Sequence, residues 1–348
     1  MSATLQDKLQ IILITYNRAT KLANTFEQIL AANSPVKDLA ITIVDNHSTD
    51  ATPTIVQQYQ ARHPNISYIQ NRYNIGGNAN IMKAFYLANK EYVWILADND
   101  TYDFASWPEV ERAIQEQQDA IVVSKYERPE IDIAQLCVQA TFLPGVIYKT
   151  SNIDDTVMGN MAYGIATMFP HLALFLQLIN DKKKIKIIDH SIVKLGDNKD
   201  ETTGEYTYTR GYKDTHLHPY LRDMHWLSGY AHAIKLIRDK QIRNYVIRHN
   251  LFFLTDLTSS KVFVNYYEDG GRNSFNLWTI FSILEGKDKI KFLFHWAAYF
   301  SLYRVVYIFA KCSRPKETDN YYVKTYWIFL FWCIRTKLFA YKVKIGDK

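Results

Sequence analysis

Five short, almost continuously apolar runs punctuate the first 125 positions: QIILIT (10–15), AITIVD (40–45), ISYIQ (66–70), YVWILA (92–97) and AIVVS (120–124). Between them, near 20–32, 52–62, 79–90 and 107–117, apolar positions recur at helical spacing. A strand that is apolar on both sides has to be covered on both faces, and the amphipathic stretches are the covers. The alternation predicts an α/β fold built on a Rossmann-like, mostly parallel sheet with helices on both faces. Sheets of this kind bind ligands where the strands end. The residues closing each apolar run are therefore the first candidates for chemistry.

After residue 140 the pattern loosens. FLPGVIYKT (142–150) and KIKIID (184–189) read as further strands, with a helix near 170–180 between them. The polar stretch 196–211 reads as an exposed loop, and from about 215 onward the pattern is helical. This suggests a sheet domain over 1–212, a helical C-terminal region over 213–287, and two basic, aromatic amphipathic helices within 288–348. His218, His225 and His232 recur every seven residues and so share one helix face. They stand two turns apart, which suits a polar packing seam better than a metal site.

The chain has 348 residues, 48% of them hydrophobic and 22% charged, which is enough for a real core. Cys137, Cys312 and Cys333 are too few and too scattered for a disulfide framework or a zinc site, and they favour a reducing compartment. The net charge of +6 is unevenly spread. Residues 288–348 hold 12 Lys/Arg and 4 Asp/Glu, a net of +8, which leaves −2 for the rest. Lys and Arg interrupt the aromatic runs 288–311 and 321–344, so neither reads as a membrane span. Both suit helices lying in a membrane interface; packing on the sheet domain or on a second copy, as a homo-oligomer, is the alternative. Those runs are too apolar for a nucleic-acid interface. Asp7 and Lys8 precede only a short apolar run, unlike a signal peptide. The expected location is cytoplasmic, attached peripherally to the inner face of the cell membrane.

The first strand ends in Thr15-Tyr16-Asn17-Arg18, a hydroxyl, an aromatic face, an amide and a guanidinium that can together hold a nucleotide. The second ends in Asp45-Asn46-His47-Ser48-Thr49-Asp50, whose carboxylate can accept from the N–H of a base; its small polar residues also cap helices. The third leads into Asn74-Ile75-Gly76-Gly77-Asn78-Ala79-Asn80, where glycines ahead of a helix let backbone N–H groups approach a phosphate, or simply form a tight turn. The fourth delivers Asp98-Asn99-Asp100. Two carboxylates at a buried strand end repel each other and are costly to desolvate. A divalent cation, Mn²⁺ or Mg²⁺, resolves both problems, and a solvated Asx turn is the other solution.

The four motifs, TYNR, DNHSTD, NIGGNAN and ADND, stand in an order that resembles the family 2 glycosyltransferases with a GT-A fold. The resemblance covers residues 8–125 well and 140–190 loosely. It implies transfer of a sugar from a nucleoside-diphosphate sugar (UDP, GDP or dTDP type) to a saccharide or lipid-linked acceptor, with inversion, in assembly of a surface polysaccharide or lipopolysaccharide. It places Thr15, Tyr16, Asn17, Arg18, Asp45, Asn74, Gly76, Gly77, Asn78 and Asp98 at the donor nucleotide. It makes Asp100 the main metal ligand, with Asp98 near the ribose or the metal. Where this family carries an acceptor-side acid, the chain has Met168-Phe169-Pro170-His171. His171 is the expected general base, with Asp154 and Asp155 as rivals. The Q-x-x-R-W signature of processive synthases is absent, which favours single addition. A nucleotidyltransferase is a rival enzyme, although TYNRATK lacks the glycine it would need. An inactive membrane-bound scaffold is the non-catalytic rival.

Overall fold

The computed structural model describes residues 4–124, 132–196 and 226–251, with isolated positions between 281 and 293. The chain forms two compact units, Met1–Leu254 and Thr255–Lys348. The interfacial helices expected within 288–348, nearly all of the loop expected over 196–211, and His218 and His225 lie outside the described residues.

The first unit is built on a seven-stranded sheet. Its strands are β1 (Leu9–Thr15), β2 (Ala40–Asp45), β3 (Ile66–Gln70), β4 (Tyr92–Ala97), β6 (Ala120–Val122), β7 (Val146–Lys149) and β8 (Ile185–Ile187). They lie in the order β3-β2-β1-β4-β7-β6-β8. A separate pair is formed by β5 (Thr101–Tyr102) and β9 (Val193–Lys194). The parallel pairings β1–β2, β2–β3 and β1–β4 bring Thr15 beside Asp45, Asp45 beside Gln70, and Ile14 beside Ala97. All of these strands therefore end at one edge. The order reverses between β1 and β4, and sheets of this kind bind ligands outside the carboxyl edge at such a switch point.

Helices cover the sheet because their apolar positions fall on one stripe. In α2 (Ala19–Ile29) Leu22, Phe26 and Ile29 are buried; in α5 (Trp107–Gln115) Trp107, Val110 and Ile114 are. These pack with Leu9, Ile11, Leu13 and Trp94 in one core, where the Trp94 indole N–H also donates to the Pro144 carbonyl (2.7 Å). α4 (Gly77–Tyr86) contributes Phe85, whose ring lies edge-on 5.8 Å from that of Tyr148. α3 (Thr52–Gln60), α6 (Ile133–Gln139), α7 (Asp155–Tyr163) and α8 (Leu172–Asn180) complete the helices up to residue 180. α9 (Trp226–Ile234) and α10 (Lys240–Val246) also pack within this unit: Asn180 donates to the Leu236 carbonyl and Tyr245 to Asp132. The compact unit thus continues past residue 212 to Leu254.

Two features depart from the sequence reading. β7 runs antiparallel to both β4 and β6. The segment joining β6 to β7 returns to the edge it left, with the Val123 N–H bonded to the Gly145 carbonyl (2.8 Å), and only a crossover to the opposite edge yields a parallel strand. The small β5–β9 pair was not foreseen, because two-residue strands carry no periodicity. Among the described residues no helix is long and apolar enough to cross a membrane.

Candidate active site

The tips of β1 and β4 are tied together by side chains of the first and fourth motifs. The Thr15 hydroxyl donates to Asp98 Oδ2 (2.7 Å), and Arg18 Nη1 donates to Asp98 Oδ1 (2.7 Å). Asp98 is buried and Arg18 is partly exposed. Each Asp98 oxygen thus accepts one hydrogen bond from within the chain. The short charge-assisted pair holds the Arg18 guanidinium at these strand tips.

Asp100 differs. Its Oδ1 accepts the Gly196 N–H (3.0 Å), while its buried Oδ2 meets no donor among the described residues. Burial pushes its carboxyl up to about 7, with the Asp98 charge adding to the rise and the Gly196 N–H and Arg18 opposing it. A buried carboxylate oxygen without a partner is costly unless something outside the chain completes it. No cluster of three or more His, Cys, Asp or Glu side chains exists among the described residues. One unpartnered carboxylate oxygen, with the other positions left to diphosphate oxygens and water, still suits Mg²⁺ or Mn²⁺.

The second and third motifs are stitched into the sheet edge. Asp45 Oδ1 accepts from the Ser48 N–H (2.9 Å) and hydroxyl (2.6 Å), and Oδ2 accepts from the Tyr68 hydroxyl (2.6 Å) and the Gln70 amide (3.3 Å). Asp45 is wholly buried, so it shapes the loop and offers a base no free oxygen, contrary to expectation. Asn17, in the left-handed region at φ 50°, is likewise committed: its N–H donates to Ser48 Oγ and its Oδ1 accepts from Thr49 N–H. Tyr16 is 42% exposed and presents the aromatic face of this edge.

The loop before α4 is held by an amide web. Asn46 donates to Asn74 Oδ1 (2.7 Å) and accepts from Asn71 and from the Ile75 N–H. Asn71 also donates to Asn80 (2.9 Å), and Lys83 donates to Asn71 (2.6 Å). Asn74 Oδ1 takes the Gly76 N–H, and Gly76 sits at φ 86°, where a glycine is needed. A Cβ on Gly77 would meet nothing within 4 Å, so the first residue of α4 borders open space, and a helix N-terminus favours an anion. Asn78 donates to the Ile165 carbonyl (2.6 Å), drawing the turn after α7 to this edge. The sequence reading missed Asn71 as the organiser of this web. Its position one residue past β3, at a fourth strand tip, was the available signal.

None of the three expected bases faces the tips of β1 and β4. β7 runs downward, so Lys149 pairs with Tyr92 at the amino end of β4, and Asp154 and Asp155 follow just beyond it. Six residues of β4 at about 3.3 Å each put that edge roughly 20 Å from the strand tips. Asp154 there caps α7 through the Val157 N–H (2.8 Å), and Asp155 is exposed in its first turn. His171 lies at the start of α8 but is 2% exposed, with Nε2 3.1 Å from the Thr141 carbonyl oxygen and its ring edge-on to Phe169. Burial lowers its pKa to about 4, against the pull of the Thr141 and Ala140 backbone. A base has to reach the hydroxyl it deprotonates. His171 reaches a core carbonyl, because the apolar helix LALFLQLI behind it buries whatever precedes it.

Residues 10–177 match the family model for glycosyl transferase family 2. The chain is 35% identical over 94 residues to the GalNAc(5)-diNAcBac-PP-undecaprenol beta-1,3-glucosyltransferase of Campylobacter jejuni, a match covering 27% of this chain and 30% of that one. It is 24% identical over 183 residues to the poly(ribitol-phosphate) beta-N-acetylglucosaminyltransferase TarP of Staphylococcus aureus, 51% of this chain and 52% of that one. The chain thus spans about half or less of the length of these curated relatives. Its fold is that of S. aureus TarS 1–349, solved in complex with UDP-GlcNAc: TM-score 0.56 at 15% identity, over 80% of this chain and 82% of the other.

Proposed function

We propose that the chain transfers one sugar, with inversion, from a nucleoside-diphosphate sugar to a saccharide or lipid-linked acceptor in cell-surface polymer assembly. The observation that carries this reading is the buried Oδ2 of Asp100, which has no donor among the described residues, beside the Arg18–Asp98 pair at the switch point of the sheet. A nucleoside would lie along the tips of β1 and β2 against Tyr16. Its diphosphate would extend toward Arg18 and the first N–H groups of α4. Asp100 would hold Mn²⁺ or Mg²⁺, which supplies charge neutralisation of the leaving diphosphate when bound. The acceptor class follows the relatives, whose names specify an undecaprenol-linked saccharide and poly(ribitol-phosphate).

A screen of UDP-, GDP- and dTDP-sugars with Mn²⁺ tests the donor half, and the TarS complex makes UDP-sugars the first choice. One base class should raise the melting midpoint only with metal present, by about 2.7 kcal/mol of added stability at a hundredfold excess over Kd. Stabilisation by no nucleotide sugar would contradict the proposal.

We place the protein at the inner face of the cell membrane through residues 288–348, on the strength of their +8 charge and aromatic–basic alternation. The full chain should sediment with anionic vesicles, and a chain ending at residue 287 should stay in the supernatant. Equal sedimentation of the two would contradict this placement.

A further inference from the structure

Residue 196 opens a polar stretch that carries no recognisable motif, yet it sits directly on the Asp98-Asn99-Asp100 triplet. The β5–β9 pair, with Thr101 opposite Lys194 and Tyr102 opposite Val193, folds the chain back along the residues that follow the triplet. The Asp103 N–H bonds to the Ile192 carbonyl (2.8 Å) and extends this zipper. A Cβ added to Gly196 would lie 1.6 Å from the Asn99 carbonyl oxygen, 2.7 Å from its carbon and 3.2 Å from Asp100 Cα. Every one of these atoms is backbone, so no side chain can swing aside to make room. Gly196 is not among the left-handed glycines, so room is the reason for the glycine. Gly159, on α7, has nothing within 4 Å of its would-be Cβ.

The close approach has a chemical consequence. It brings the Gly196 nitrogen to 3.0 Å from Asp100 Oδ1, a hydrogen bond that engages one carboxylate oxygen, while the other, buried, has no donor among the described residues. The triplet is held elsewhere by Gln28, whose amide donates to the Asp100 carbonyl (3.4 Å) and accepts from the Tyr102 N–H (3.0 Å). We propose that Gly196 is a positioning residue for the cation site: its N–H pins Oδ1 of Asp100 so that Oδ2 is presented to a divalent cation. The inference rests on the reading of Asp100 as the cation ligand. Ala at 196 would force the two backbones apart, and the carboxylate would lose the bond that orients it.

The test uses the full chain and Mn²⁺ alone, followed by electron paramagnetic resonance of the free ion. Gly196→Ala should weaken Mn²⁺ binding at least tenfold, while Gly159→Ala stays within twofold of wild type. Wild-type affinity in a folded Gly196→Ala protein would overturn the proposal. Absence of Mn²⁺ binding by wild type would overturn the cation reading of Asp100 and this inference with it. Should Gly196→Ala not fold, wild-type protein labelled at its 13 glycines gives the answer by NMR. Substoichiometric Mn²⁺ should broaden the Gly196 amide and spare that of Gly159; a Gly196 signal that persists with Mn²⁺ bound would overturn the proposal.

Discussion

Asp100→Asn is expected to lower sugar transfer by about 10²–10³-fold, the usual effect of removing one preorganised electrostatic stabiliser of a developing charge. The substitution keeps the shape of the side chain and an oxygen for the Gly196 N–H. It replaces the unpartnered Oδ2 by an amide nitrogen, which cannot ligate a cation. The same change should leave the ligand-free fold as stable as wild type or more so. Burial raises the Asp100 pKa to about 7, above its value of about 3.9 in an unfolded chain, so the folded state binds the proton more readily. Its stability is therefore lost as pH rises through that window, and asparagine removes the loss. Activity and stability should move in opposite directions, the pattern of a strained functional group. Kinetics and thermal unfolding at pH 8 on the two proteins check this. Equal transfer rates would exclude Asp100 from the reaction.

His171 is expected to govern acid stability, with no part in turnover. Its folded pKa of about 4 lies below the ordinary 6.5, because burial disfavours the charged ring. As pH falls the unfolded chain therefore takes the proton first. The stability tied to the neutral ring is complete above about pH 6.5 and is lost between there and pH 4, about 3 kcal/mol in all. His171→Phe keeps an aromatic ring beside Phe169 and removes the titration. Denaturant unfolding should show its stability falling less steeply over that interval, and transfer at pH 7.5 should stay within a few fold of wild type. A hundredfold loss of transfer in the folded variant would return His171 to the chemistry.

Most of the donor half could be read along the chain. β2, β3 and β4 begin and end where their apolar runs do. Parallel pairing then places Thr15, Asp45 and Asp98 at one edge. What each polar group does there depends on partners far away in sequence. Thr15 and Asp98 are 83 positions apart, and Gly196 and Asp100 are 96. Spacing could therefore identify two carboxylates, yet could not say that Asp98 accepts from Arg18 and Thr15 while Asp100 keeps an unpartnered oxygen. The acceptor-side candidates show the same dependence on distant structure. β7 runs antiparallel, a direction its four residues do not disclose. Asp154 and Asp155 consequently stand at the wrong edge, and His171 is drawn into the core by the helix it precedes.

A donor site completed by a cation on Asp100 makes nucleotide binding depend on the metal. Isothermal calorimetry of the full chain with UDP, GDP and dTDP, each with and without Mn²⁺, tests it most directly. Binding of one of these diphosphates should require Mn²⁺ in wild type and vanish in Asp100→Asn. Binding that is indifferent to the metal, or that survives Asp100→Asn unchanged, would contradict the account.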